Sequence, residues 1–243
     1  MQFNVFNEIG YLKLARHPNI VTMLGVALNS DNYLFVVTEL CEEKSLKQFM
    51  KKFKGKLPVA LKYKILFEVA VAIYYLHSLT PSLVHRDIKS ENIFITSSHK
   101  AKLGDFGICK IGLDPMMSPT RPGDAGFYQT ETIGTINYMA PESMSRSIFF
   151  PASDIYSFGV VAWEFLTETE PFADFGEFDI MNAVTNPKSV NFVLDNSHPF
   201  DQNVKDVINQ CLTFKPEERP CAADICDIFS KVVKQTSGTF GLL

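Results

Sequence analysis

The run HRDIKSENIF at His85 to Phe94, followed by DFG at Asp105 to Gly107, constrains this chain more than any other feature. It packs an acid, a base and an amide into one short stretch. Asp87, Lys89 and Asn92 lie two and three residues apart, and a second carboxylate, Asp105, follows thirteen residues after the amide. One carboxylate that orients a hydroxyl, a lysine that neutralises phosphate oxygens, and an amide and a carboxylate that hold Mg²⁺ make the grouping needed to move a phosphoryl group. The segments around this run fix where it can sit. Before it, Leu61, Ile65, Leu66, Val69, Ile73 and Leu76 repeat at helical spacing and predict a long helix from about Pro58 to Leu79 with one buried stripe. After it, two short apolar runs, about Ile93 to Thr96 and Ala101 to Leu103, predict strands. The polar run is therefore a loop between a helix and a pair of strands.

Five more segments fall in a fixed order around it. APE stands at Ala140 to Glu142, DIYSFGVVAWE at Asp154 to Glu164 and KPEERP at Lys215 to Pro220. Upstream are EIGYLKLARHPNIV at Glu8 to Val21 and VVTELCEEKSL at Val36 to Leu46. Taken together, these segments resemble the catalytic domain of eukaryotic-type protein kinases over roughly Met1 to Val233. DIYSFGVVAWEFLT with HRDIKSEN most resembles the tyrosine-kinase-like group of serine/threonine kinases.

The resemblance implies an α+β, bilobal fold with a mainly helical C-lobe and a truncated N-lobe of one helix and two strands. Its expected divisions are an N-lobe remnant at 1–38, a hinge at 39–44, the C-lobe at 45–234 and a tail at 235–243, frayed from Thr236 onward. Phe3, Phe6, Ile9 and Leu12 to Leu14 carry the N-lobe helix. Val21 to Leu28 and Tyr33 to Thr38 read as its strands, and Ser45 as the N-cap of the next helix. Ala152 to Thr167 is apolar nearly all round and should be a buried core helix.

By the same resemblance, Asp87 accepts or orients the proton of a substrate hydroxyl, and Lys89 reaches the transferring γ-phosphate of ATP. Thr135 bonds that Asp and Lys, and with Lys89 points to serine or threonine substrates. Asn92 and Asp105 are the expected Mg²⁺ ligands, since hard cations take oxygen donors. Thr38 lies at the back of the nucleotide pocket, Glu39 and Cys41 offer backbone groups to adenine, Phe94 forms the floor, Ser45 reaches the ribose, and Glu91 is a further nucleotide-binding residue. His85 is a packing residue, stacked with Phe106, Leu12 and Met23. Glu142 and Arg219 form a buried ion pair, and Asp154 caps N–H groups of the catalytic loop. His17, His77, His99 and His198 have no partners at ligand spacing.

Regulation has its own candidates. Glu8 matches the helix glutamate that pairs with a strand lysine in the family. The segment Ile108 to Met139 is long for a loop and holds Thr130 and Thr132, with Arg86 and Lys110 as cations for a phosphate on it. Glu131 is read either as a fixed negative charge or as a solvated loop residue.

The family's Gly-rich G-x-G-x-x-G hairpin and V-A-I-K lysine have no counterpart in this sequence, a stretch of about 30–40 residues at usual element lengths. Two readings therefore stand. One is a serine/threonine kinase, truncated at its N-terminus and weakly active or inactive as written. The other is a non-catalytic, kinase-like interaction module with a regulatory protein partner. A net charge of −4 gives no reason to expect nucleic-acid or anionic-membrane partners. Five cysteines without metal spacing, and the lack of a secretory or membrane-spanning run, predict reduced thiols and a cytoplasmic protein.

Overall fold

The computed structural model describes residues 9–11, 13–30, 33–107, 109–111, 136–146, 148–189 and 191–238. Glu8, Leu12, Thr130, Glu131, Thr132 and Thr135 lie outside the described residues, as do Phe3 and Phe6.

Residues 9–11 and 13–14 are helical (α1) and lead to the strands β1 (Met23–Leu28) and β2 (Leu34–Thr38). These pair antiparallel in the register Gly25↔Val37, Val26↔Val36 and Ala27↔Phe35. Beyond the connection at Glu39 to Lys44 come α2 (Leu46–Lys52) and α3 (Val59–Ser78). Ser45 starts α2 with a reciprocal cap: its hydroxyl accepts from the Gln48 N–H, and the Gln48 side chain accepts from the Ser45 N–H. Two further two-stranded sheets follow, β3 (Leu83–Val84) with β6 (Lys110–Ile111), and β4 (Ile93–Ile95) with β5 (Ala101–Leu103). The rest is helical: α4 (Pro141–Arg146), α5 (Pro151–Thr167), α6 (Glu177–Thr185), α7 (Gln202–Cys211) and α8 (Ala222–Gly238), with 3₁₀ turns at Ile136–Tyr138 and Pro216–Glu218. The α+β arrangement of a helical lobe carrying a small strand-and-helix lobe is present.

The core forms where α3, α5, α7 and α8 meet. Five of the six predicted stripe residues of α3 are buried, and Leu61 is partly so. Phe229 of α8 meets Tyr63 of α3 and Phe158 of α5 edge to face, each at 6.3 Å between centroids. α5 is buried nearly all round, as its composition requires. Gly159 allows α7 to approach it, because a Cβ there would stand 2.9 Å from the Cβ of Cys211. α8 continues to Gly238, so Thr236 is helical rather than frayed: its hydroxyl donates to the Val232 carbonyl at 3.0 Å.

The N-terminal part is tied to this body at its base. Val21 donates to the Leu103 carbonyl and Leu103 to the Asn19 carbonyl, at 2.9 and 2.8 Å, extending β5 by a parallel bridge. His17 stacks on Tyr75 of α3 at 4.9 Å. In the strands above this junction only Met23 and Val36 pack in part against the core, and Leu24, Val26, Leu28, Phe35 and Val37 are exposed. No helix among the described residues is long and apolar enough to cross a membrane.

Candidate active site

The loop between β3 and β4 takes its shape from α5. The buried Asp154 carboxylate accepts from the His85 N–H through Oδ2 and from the Arg86 N–H through Oδ1, each at 2.9 Å. This holds Arg86 at a φ of 72°, a left-handed conformation that costs energy for a non-glycine residue. Nε2 of His77, at the end of α3, donates to the same Oδ2 at 2.9 Å. His85 is fully buried, and its ring meets Phe106 edge to face at 5.0 Å. Its Nε2 lies 3.0 Å from the Gly104 carbonyl, so that nitrogen carries the proton, and Nδ1 accepts from the Asp87 N–H at 3.3 Å. The histidine is a scaffold, as its expected packing role requires.

Asp87 follows directly. Its Oδ2 is held by Lys89 Nζ at 2.7 Å and Asn92 Nδ2 at 2.8 Å, and Asn92 Nδ2 also reaches the Asp87 carbonyl at 2.9 Å. The other oxygen, Oδ1, is buried and has no hydrogen-bond partner among the described residues. A buried carboxylate oxygen left unpaired is costly, and such atoms call for an explanation.

Asp105 is brought alongside by the β4–β5 pair. Ile93 faces Leu103, and the Gly104 N–H donates to the Asn92 carbonyl at 2.9 Å, so the chain delivers Asp105 next to Asn92. Gly104 has to lack a side chain, because a Cβ would stand 2.9 Å from both Phe94 and Val21. Asp105 is exposed, with φ at 59°, and its Oδ1 accepts from the Gly107 N–H at 3.3 Å. The donor set fits Mg²⁺. Asn92 spends its Nδ2 on Asp87, and its amide oxygen, with the Asp105 carboxylate, would suit a hard cation. Among the described residues no cluster of three or more His, Cys, Asp or Glu could hold a metal alone. Two protein oxygens are what a Mg²⁺ shared with substrate phosphates needs.

The residues expected around a nucleotide line the junction of the two parts. Thr38 ends β2 opposite Met23. Glu39 donates its N–H to the Thr22 carbonyl, and its side chain binds the Thr22 N–H and Lys102 Nζ, each at 2.7 Å. Burial raises the Glu39 carboxyl, but the bonds from Lys102 and Thr22 outweigh it and hold it below the usual range. The Cys41 thiol is buried, and its carbonyl accepts from the Lys44 N–H at 3.0 Å. Ser45 spends its hydroxyl on the α2 cap. The Glu91 side chain turns to Lys47 at 2.9 Å, and the same Lys47 reaches Glu170 at 2.8 Å. The Arg86 guanidinium lies 4.1 Å from the centre of the Phe149 ring, and Lys110 is paired with Val84 in β6.

Some groups near the loop carry no obvious sequence signal. Glu164 of α5 is buried, accepts from the Tyr138 hydroxyl at 2.9 Å, and lies near Ser90. Burial, opposed only in part by those hydroxyls, pushes its carboxyl up to about 7. His77, read as having no partners at ligand spacing, is one of three donors to Asp154. The Glu142–Arg219 pair is present and bidentate, at 2.8 Å for each contact, with Arg219 also donating to the Thr213, Ala152 and Phe214 carbonyls.

A family model described as protein tyrosine and serine/threonine kinase matches residues 2–229. The chain is 31% identical over 214 residues to a probable serine/threonine-protein kinase of Dictyostelium discoideum, covering 88% of this chain and 19% of that protein. It is 30% identical over 229 residues to the serine/threonine-protein kinase CTR1 of Arabidopsis thaliana, covering 93% and 26%. It is 30% identical over 231 residues to the dual specificity protein kinase shkC of Dictyostelium discoideum, covering 93% and 42%. The chain thus spans less than half the length of each of these relatives.

Proposed function

Because the chain belongs to the protein tyrosine and serine/threonine kinase family, we propose that it is the catalytic portion of a serine/threonine kinase, transferring the ATP γ-phosphoryl group to a protein hydroxyl. The observation that carries the reading is the asymmetric Asp87 carboxylate. One oxygen is pinned by Lys89 and Asn92, and the other is buried and unclaimed among the described residues. A serine or threonine hydroxyl bonding Oδ1 would satisfy it and be oriented for attack, with its proton passing to Asp87. Lys89, bonded to Asp87 Oδ2 at 2.7 Å, would offset charge on the transferred group. The Asn92 amide oxygen and the Asp105 carboxylate would hold Mg²⁺. When bound, that ion neutralises the phosphate oxygens.

The test uses the full-length protein that carries this chain, supplied with Mg²⁺, ATP and a generic protein substrate. Asp87→Asn keeps the bond from Lys89 but removes the base, and should lower kcat by about 10²–10⁴-fold with the melting temperature unchanged. Phosphoamino-acid analysis should return phosphoserine and phosphothreonine. Equal turnover by wild type and Asp87→Asn would overturn the assignment of the base. Product dominated by phosphotyrosine would overturn the substrate class. Absence of turnover in both, with a partner protein retained on the folded domain, would favour the non-catalytic interaction module.

A further inference from the structure

The described residues line an open cavity of about 870 Å³ on the face formed by the end of α3, α4, the start of α5, the Pro216–Glu218 turn and the start of α8. None of Asp87, Lys89, Asn92 or Asp105 lines it. Its volume falls within the range of small-molecule sites, roughly 300–1,000 Å³. Its walls are rings and prolines: Tyr74, Phe150, Phe214, Pro151, Pro216 and Pro220. Ile155 and Ala222, both buried, close the floor. Such walls offer rigid, flat apolar surface and few hydrogen-bonding groups.

The charged groups on the lining are unequally occupied. Arg219 is saturated by Glu142 and by three backbone carbonyls. Lys215 is paired with Glu218 at 2.7 Å. Arg146, exposed in the last turn of α4, has no carboxylate partner among the described residues. With Arg219 matched to Glu142 and Lys215 to Glu218, the charges left on the lining are Arg146 at the end of α4 and Glu217 in the 3₁₀ turn, and Arg146 is the group placed to receive an anion.

The cavity also touches the loop that holds Asp87. His77 lines it and donates to Asp154 Oδ2 at 2.9 Å, and Asp154 holds the His85 and Arg86 N–H groups. A ligand that fixes the end of α3 would fix this chain of bonds.

We propose that the cavity is a second small-molecule site, for an aromatic monoanion seated between the Tyr74, Phe150 and Phe214 rings with its acid on Arg146, and that its occupancy rigidifies the loop before Asp87. Binding does not depend on the proposed phosphotransfer, and its test reads no activity.

The probes are 8-anilinonaphthalene-1-sulfonate and its uncharged analogue N-phenyl-1-naphthylamine, titrated by fluorescence against the whole chain. The anion should bind more tightly than the neutral dye. Arg146→Glu should weaken the anion by about tenfold or more, the loss of one charge-assisted bond, and change the neutral dye less than about twofold. Ala223→Trp, which fills the cavity from the first turn of α8, should abolish both. Should that variant fail to fold, as judged by circular dichroism, Arg146→Glu and hydrogen exchange still decide. Saturating sulfonate should slow exchange of the His85 and Arg86 amides. Dye binding unchanged in folded variants, or protection confined to residues 23–38, would place the dye on the exposed strands and overturn the proposal. Binding without a change at His85 and Arg86 would overturn the coupling.

Discussion

Two regions of this chain are comparably apolar and end up in opposite environments. β1 and β2 read MLGVAL and LFVVT, yet neither contains a buried residue. α3 buries nine of its twenty residues. A helix presents one stripe, and here α5 and α8 cover it. A two-stranded ribbon presents two faces and two edges, and it needs a third strand or further packing for stability of its own. Apolar composition therefore specifies burial only where a second surface exists to receive it. The difference also separates roles. The loop bearing Asp87 hangs from the well-packed region through Asp154, whereas the ribbon meets the body at its base and through the partly buried Met23 and Val36.

The largest expected effects lie in the packed region. Phe158→Ala should remove about 3–5 kcal/mol of unfolding free energy, because the fully buried ring leaves a cavity between α3 and α8. Chemical denaturation checks it, and a loss below about 1 kcal/mol would mean that this core is no tighter than the ribbon. Glu142→Ala should cost a similar amount, about 3–5 kcal/mol, since it strands the Arg219 guanidinium, whose side chain is 0% exposed.

A third effect distinguishes the regions by pH. Glu164 titrates near 7 when folded and near the ordinary 4.5 when unfolded, so folding takes up a proton between those values. Stability from this group is full below about 4.5 and is lost as pH rises through about 7, by up to about 3 kcal/mol. Glu39, at the base of the ribbon, shifts the other way: its contribution is present above its unfolded pKa and is lost as pH falls through the depressed folded value. Melting temperatures across pH 5–8 should therefore fall more steeply for wild type than for Glu164→Gln. Parallel curves would remove Glu164 from the account.

The smallest effect is expected in the ribbon. Phe35→Ser and Val37→Ser replace exposed side chains and should change unfolding free energy by less than about 0.5 kcal/mol, while reducing self-association in light scattering. Amides of residues 23–38 should exchange faster than those of 59–78. Equal protection would erase the distinction between the two regions.

The sequence revealed what is local and, through the resemblance, two distant links, Glu142 with Arg219 and Asp154 with the loop. The helix predicted from Pro58 to Leu79 spans Val59–Ser78, the strand predicted at Ala101 to Leu103 has those bounds, and Ser45 caps α2. Asp87, Lys89 and Asn92 were legible because one loop carries them, and the strand pair that follows brings Asp105 to their side. What stayed hidden joins residues far apart in the chain. His77 meets Asp154 across 77 positions, Lys47 meets Glu170 across 123, and Tyr138 meets Glu164 from a 3₁₀ turn to a helix interior. No periodicity links such pairs; only the packing of α5 against the loop does. The cavity beside α8 also stayed hidden, because its walls come from five separate segments.

The grip of Asp154 on the loop has a consequence for the order in which the chain is made. Arg86 leaves the ribosome 68 residues before the carboxylate that fixes its backbone. At about 5–20 residues per second, the nascent loop waits on the order of several seconds without its anchor. During that interval the segment bearing Asp87 has a sequence but no imposed shape. The shape of the loop around Asp87 thus arrives only when α5 has emerged and can pack, and a ribosome stalled before Asp154 would display the whole HRDIKSEN run without the carboxylate that shapes it.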